Sequence, residues 1–346
     1  MEMKRLIGVG RFKVLGTVTL LVAFATTLIA TDVLALEGTF GTDGTISVDT
    51  TVSYTSSWRV DSHDEYLSVL DQALNKDPKT ALDYSRGDAN FDNGDQFLST
   101  FRALVDVDVN WKDDYGVFLR GSAFYDTVYS DDEDKFGTTG PLSGGPDWYT
   151  NDYDDFEEVH GYNAELLDAF AYGNFKLGDS PLTLRVGRQT IFWGESLLVF
   201  GSVATAMNPI DATLANTPGA ETKELIMPTG RAYAAVSTPN DKLTLAVNYK
   251  WEWEKSKLDE AGSYFSTNNA TDDSIENVLG FMRGEDIGED DGDEYGVALR
   301  YAQDNGDEWG FYFLNYREST PRLVALHIHQ LVRLLAQLIH LLTLIL

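Results

Sequence analysis

Asp88, Asn90, Asp92 and Asp95 place side-chain oxygens at the alternating spacing of a calcium loop. Gly94 falls two positions later than the sixth-position glycine of an EF-hand, so an ordinary Asx-rich turn competes with Ca²⁺ binding. Arg59, Arg102, Arg120, Arg185 and Arg188 lie on expected strands, beside Gln189 and Glu195. Arg59, Arg102 and Gln189 have the parity opposite to the apolar residues of their strands. If the apolar face meets lipid, these three point inward, where they could pair with Asp106, Asp168 or Glu252 as a structural ladder. Arg188 shares the apolar parity, which puts it at an interface or marks a slip in register. Catalytic chemistry has little to build on. Only His63 and His160 precede residue 327, both in long acidic loops, and the chain has no Gly-x-Ser-x-Gly elbow and no phosphate-binding loop. No cofactor is expected beyond loosely held Ca²⁺, and His327 and His329 lack the carboxylate on which ligating histidines lean.

The background composition narrows the classes further. In 346 residues, 55 Asp and Glu oppose 26 Lys and Arg for a net charge of −29, which excludes a nucleic-acid footprint. With no cysteine, disulfides, thiolate metal sites and Cys nucleophiles are all excluded. Aromatic content of 12% together with 30 glycines and a mean hydropathy of −0.22 suits neither a helical membrane protein nor a disordered acidic chain.

Several segments alternate with a period of two. Ile46, Val48, Val52, Tyr54, Trp58 and Val60 interleave with Ser47, Asp49, Thr51, Ser53 and Arg59. The pattern returns over 101–111, where Leu104 is an exception, and over 243–253. Weaker versions cover 115–125, 166–177, 182–192, 231–238, 294–302 and 309–316, for nine expected strands. The clearest run is longer than the usual soluble strand of about five or six residues. Such length suits a tilted membrane strand, and Trp58, Trp111, Tyr115, Trp251, Trp253 and Trp309 fall where an interfacial girdle would put them.

Tight turns at 112–114, 178–181, 239–242 and 304–307 alternate with long connections at 61–97, 126–165, 193–230 and 255–293. Three of the long connections carry net charges of −6, −11 and −8, as solvated external loops would. The fourth is nearly uncharged. Its Trp193, Leu198, Phe200, Asn208 and Asp211 belong to a segment expected to fold inside a barrel or cap its mouth. There it would either contact an apolar substrate or serve as a structural plug with a simple turn at Asn208-Pro209.

The ends differ from the middle. Lys4, Arg5, Arg11 and Lys13 precede an apolar run from Val14 to about Ala30 and a small-residue site at Val33-Leu34-Ala35. Residues 1–35 therefore read as a cleaved signal peptide, with a membrane anchor as the alternative. Residues 36–320 are the barrel region. Residues 321–346, Leu- and His-rich and without Asp, Glu or Gly, suggest an amphipathic helical tail foreign to it.

The order of short motifs resembles a family of bacterial outer-membrane proteins, domain of unknown function 1302. The resemblance rests on Ser57-Trp58-Arg59-Val60, Gly87 to Asp95, Phe118 to Ser122, Glu165 to Phe170 and Gly187-Arg188-Gln189. It continues through Trp193 to Ser196, Asn208 to Asp211, Pro218 to Glu221, Trp251 to Lys255 and Phe265 to Asn268. It implies an all-β fold, an antiparallel transmembrane β-barrel present in part, located in the bacterial outer membrane. It also implies passage of hydrophobic or lipid-like small molecules, with a periplasmic partner protein and pumps. The alternative is a non-transporting surface barrel whose acidic loops bind divalent cations.

Overall fold

The structure, a computed structural model, describes residues 25–62, 90–130, 136, 153–194, 202–203, 205–260, 262–266, 277–278, 281–282 and 292–321. It is almost entirely β, as the alternation requires. The main sheet joins ten antiparallel strands in their order along the chain, with one separate strand pair passed over. They are β1 (Ala25–Phe40), β2 (Gly44–Arg59), β3 (Gln96–Trp111), β4 (Tyr115–Asp126), β5 (Tyr162–Leu177), β6 (Ser180–Gln189), β7 (Thr229–Ser237), β8 (Leu243–Lys250), β11 (Glu294–Ala302) and β12 (Glu308–Asn315). Between β8 and β11, β9 (Asn277–Val278) and β10 (Phe281–Met282) form a separate pair. The main sheet is open, with β1 and β12 as its edges. Among the described residues, no helix is long and apolar enough to cross a membrane.

The tenth strand corrects the expected count of nine. β1 pairs residue by residue with β2 from Ala25↔Arg59 to Phe40↔Gly44, and so runs through the expected cleavage site at Val33-Leu34-Ala35. Apolar residues at both parities hid its period from the sequence. Cleavage after Ala35 would leave only 36–40 of this strand. Residues 1–24 and 322–346, which hold the rest of the expected signal peptide and the expected helical tail, lie outside the described residues.

Short and long connections alternate from β1 to β12. At the β3–β4 hairpin, Lys112 and Asp113 have φ of 60° and 55°, and the Asp113 N–H donates to Asn110 Oδ1 at 2.8 Å. Two left-handed residues give the turn the twist that the flanking strands require.

The two faces of the sheet invert the polarity usual in water. Leu119, Leu184, Val186, Leu245, Val247, Leu299, Phe311 and Phe313 are exposed on one face. Exposed aromatics gather toward the strand ends, with Trp111, Tyr115, Phe175, Tyr301 and Trp309 near the short turns. Tyr125, Tyr162, Tyr249, Trp251 and Tyr295 lie near the long connections. The other face buries Ser53, Thr55, Ser57, Arg59, Arg102, Ser122, Gln189, Arg231, Asn248, Lys250 and Glu294. Leu104, out of pattern in the sequence, is 3% exposed on this polar face.

Two devices shape the polar face. A bulge in the β4–β5 ladder sets Leu167 and Asp168 together opposite Arg120, so both are buried. Over the long-connection end, Phe91, Phe97, Leu98, Tyr129, Phe136 and Phe156 make a buried cluster with Tyr264 and Phe265 packed on it. Phe97 and Tyr264 stack at 3.7 Å, and Tyr129 OH accepts from Tyr264 N at 3.2 Å. Three acidic connections thus share one aromatic core, a feature that their charge concealed.

Candidate functional site

The site is assembled where the connection after β6 lies on the polar face. Its residues 205–228 reach from β2 to β8. Thr55 Oγ1 donates to Pro218 O at 2.9 Å, and Asn248 Nδ2 contacts Met207 Sδ at 3.8 Å. Asn208 is 2% exposed and donates to Ile191 O at 3.0 Å, which ties the segment to the end of β6. Asp211 caps the turn Ala212–Leu214 by accepting from Thr213 N at 3.1 Å and Thr213 Oγ1 at 2.5 Å. Burial pushes the Asp211 carboxyl above its ordinary range, against the pull of those bonds and of Lys257.

A second turn, Thr222–Leu225, carries the charges that dock the segment. Its capping box has Glu221 N donating to Glu224 Oε2 at 2.9 Å. That leaves Glu224 Oε1, in a residue 2% exposed, to accept from Arg102 Nη1 at 3.2 Å and Ser122 Oγ at 2.9 Å. Lys223 Nζ reaches Asp106 Oδ2 at 3.1 Å. Asp106 also takes both Arg120 Nε at 2.7 Å and Arg120 Nη2 at 2.9 Å, while Arg120 Nη1 donates to Asp168 Oδ2 at 3.1 Å. Two adjacent loop residues of opposite sign therefore meet two strand residues of opposite sign.

The ion pairs differ from those expected in the sequence. Arg120, rather than Arg59 or Arg102, joins Asp106 to Asp168. Arg102 pairs with Glu224 of the loop, and its guanidinium lies 5.1 Å from the Phe124 ring. Arg59 donates from Nε to Asp61 O at 2.7 Å and faces the Tyr264 ring at 5.9 Å. Gln189, 1% exposed, donates to Arg231 O at 3.2 Å. Arg185 faces the Phe170 ring at 5.7 Å. Arg188 keeps the apolar parity with no slip in register, and pairs with Glu252 at 3.1 Å and Glu254 at 2.8 Å.

Beneath the docked segment lie two neighbouring cavities, of about 50 and 30 Å³. Arg102, Phe124, Val159, Thr213 and Leu214 line both. The larger adds Glu158, Glu165, Asp211, Glu224 and Lys257, and its size suits a few waters. The smaller adds Asp259, whose carboxyl burial and Asp211 push up to about 7.

Of the calcium-loop residues, Asp88 lies outside the described residues. Asn90 Nδ2 donates to Gly262 O at 2.9 Å, and Asp95 Oδ2 accepts from Asp92 N at 2.8 Å, closing a short turn. Among the described residues, no three of His, Cys, Asp and Glu are grouped as a metal site would require. Trp193 is 6% exposed against the polar face, whereas Glu195, Leu198 and Phe200 lie outside the described residues. Sequence reasoning missed Glu224 and Lys223, since a polar pair in an irregular segment has no period to betray it. It also passed over Arg231, Lys250 and Glu294, although the inward parity of Lys250 beside Asn248 was legible.

Comparison with known proteins places the chain. The family model described as Protein of unknown function (DUF1302) matches residues 16–340, and the chain belongs to that family. The match spans the expected cleavage site and much of the Leu-rich tail. No curated protein and no solved structure matches the chain.

Proposed function

We propose that this sheet is the wall of an outer-membrane β-barrel that passes hydrophobic or lipid-like small molecules, exported by an N-terminal signal that is removed before β1 rather than at Val33-Leu34-Ala35, since cleavage there would take most of that strand. The inverted polarity of the sheet carries the reading. An apolar face including Leu184, Val186, Val247, Phe311 and Phe313 would be an association hazard in water and is the favourable arrangement against hydrocarbon. Aromatics near both strand ends fit two interfacial girdles. An open ladder in lipid leaves backbone groups unsatisfied at several kcal/mol each, so β1 and β12 must gain partners there. With ten strands in order, the two edges run antiparallel, which is what closure in an antiparallel barrel needs. The short turns then face the periplasm, where a partner protein delivers or receives cargo, and the segment 205–228 narrows the passage.

The test is reconstitution of the full chain. Gel mobility before and after boiling reports a compact barrel, and transfer of a fluorescent lipid-like probe between vesicle compartments reports passage. Heat-modifiable protein with saturable transfer is expected. A heat-modifiable protein that moves no probe would refute transport.

A further inference from the structure

Among the described residues, the polar face holds a buried cation, Arg231, that its neighbouring carboxylates do not pair. Gly187 of β6, Arg231 of β7, Lys250 of β8 and Glu294 of β11 stand opposite one another in a single row of the sheet. Arg231 is 0% exposed. Lys250 engages both oxygens of Glu294, at 3.1 and 3.0 Å, so that carboxylate is taken. The other carboxylates near enough to act on Arg231 are Asp168, held by Arg120, and Glu252, held by Arg188. Arg231 itself donates from Nη2 to two neutral oxygens, Met207 O at 3.1 Å and Thr229 Oγ1. Its Nε and Nη1 have no partner among the described residues, nor do Gln189 Oε1 and Asn248 Oδ1 beside it. An unpaired buried charge is among the most destabilising groups a fold can keep.

The rows next to this one are shaped differently. Tyr233, Asn248 and Gly296 pair across the sheet, and then Ala235, Ala246 and Ala298 do so. These three small side chains lie in register two rows from Arg231, beyond the Tyr233 row. Trp193 and Ile191 cluster with Ala246 and Ala298 there, and Tyr312 lies 6.3 Å from the Trp193 ring. A side chain at Gly296 would strike that ring. Met207 thus takes the cationic spot and Trp193 covers Gly296 and the alanine row beyond it, and both belong to the connection that lies on the polar face.

We propose that this row is the binding site for an amphipathic acid, with a carboxylate head on Arg231 and an apolar chain along Ala235, Ala246 and Ala298 in the place of Trp193. The Met207 carbonyl holds the head position until the acid arrives. The assignment rests on passage of lipid-like molecules and narrows it to acidic ones. A carboxylate supplies the acceptor oxygens and the negative charge that Arg231 lacks.

The probe is a dibrominated C18 carboxylic acid, with the matching alcohol as comparison, titrated into the full chain in phosphatidylcholine vesicles. Bromine on the bound chain quenches tryptophan emission. Saturable quenching by the acid is expected at a concentration about tenfold or more below that for the alcohol, because a charge-assisted contact is gained. Trp193→Phe should remove the quenched component. Arg231→Gln should equalise acid and alcohol, and Arg231→Lys should keep the preference, with gel mobility on boiling confirming that each variant folds. Acid and alcohol binding alike in the unaltered protein would overturn the acid site while leaving hydrophobic passage standing. Absence of saturable binding by either would overturn both.

Discussion

Replacing Glu224 by Ala should release the segment 205–228 from the sheet while the strands stay paired. The side chain receives Arg102, Ser122 and the amide of Glu221, and is 2% exposed. Removing one partner of a buried ion pair costs about 3–5 kcal/mol, and loss of the capping box adds about 1 kcal/mol. The cavity beside Arg102 admits water to the stranded guanidinium, which favours the low end, about 4 kcal/mol with the capping loss included. That corresponds to roughly a thousandfold rise in the open population. Trypsin reads the change directly, because Lys223 lies within the docked turn. Cleavage after Lys223 in reconstituted protein should accelerate by about that factor if reclosing outpaces cutting, while gel mobility on boiling is unchanged. Glu224→Gln, which keeps an acceptor for Ser122, should fall between. Arg102→Met with Glu224→Leu should recover much of the protection, since apolar replacement of both partners removes the stranded charge. Cleavage of the Ala variant at the unaltered rate would refute the docking argument.

Three further outcomes are expected. The Asp259 carboxyl, pushed up to about 7 by burial and Asp211, binds its proton more tightly folded than unfolded. Stability should therefore fall as pH rises from about 4 to about 7 and level off above, and Asp259→Asn should flatten that slope in denaturant titrations. Phe91, 0% exposed, anchors the aromatic core of the acidic connections, so Phe91→Ala should cost about 3–5 kcal/mol locally. Hydrogen exchange should show it around Tyr129 and Tyr264 and leave the centres of β6 and β7 protected. Gly187 has φ +134°, and a side chain there would meet Ala169 O and the Phe170 backbone. Gly187→Ala should disrupt the β5–β6 pairing and reduce the yield of heat-modifiable protein, and an unchanged yield would count against the strain.

Much of the sheet was legible because period-two patterning and turn residues act over a few positions. Ser53, Thr55, Arg59, Arg102 and Gln189 could be assigned to the polar face from parity alone. β1 was not legible, since a run apolar at both parities reads equally as a targeting segment. The partner of each charge was not legible either. Parity says which way Arg102 and Arg120 point, but Arg102 meets Glu224 across 122 positions of sequence, and Asp168 reaches Arg120 through a bulge with no sequence mark.

The sequence by itself determined nine of the main sheet's ten strands, their alternating short and long connections, the inverted faces and the family, because each is written in local pattern or in motif order. Only the tertiary structure decided that the nearly uncharged connection lies on the polar face through Lys223 and Glu224. It also decided that three acidic loops share an aromatic core, that Arg231 is buried without an ion pair among the described residues, and that Trp193 covers a row of alanines. Those arrangements depend on which residues the register brings opposite one another and on what an irregular segment covers, and neither leaves a periodic trace in the chain.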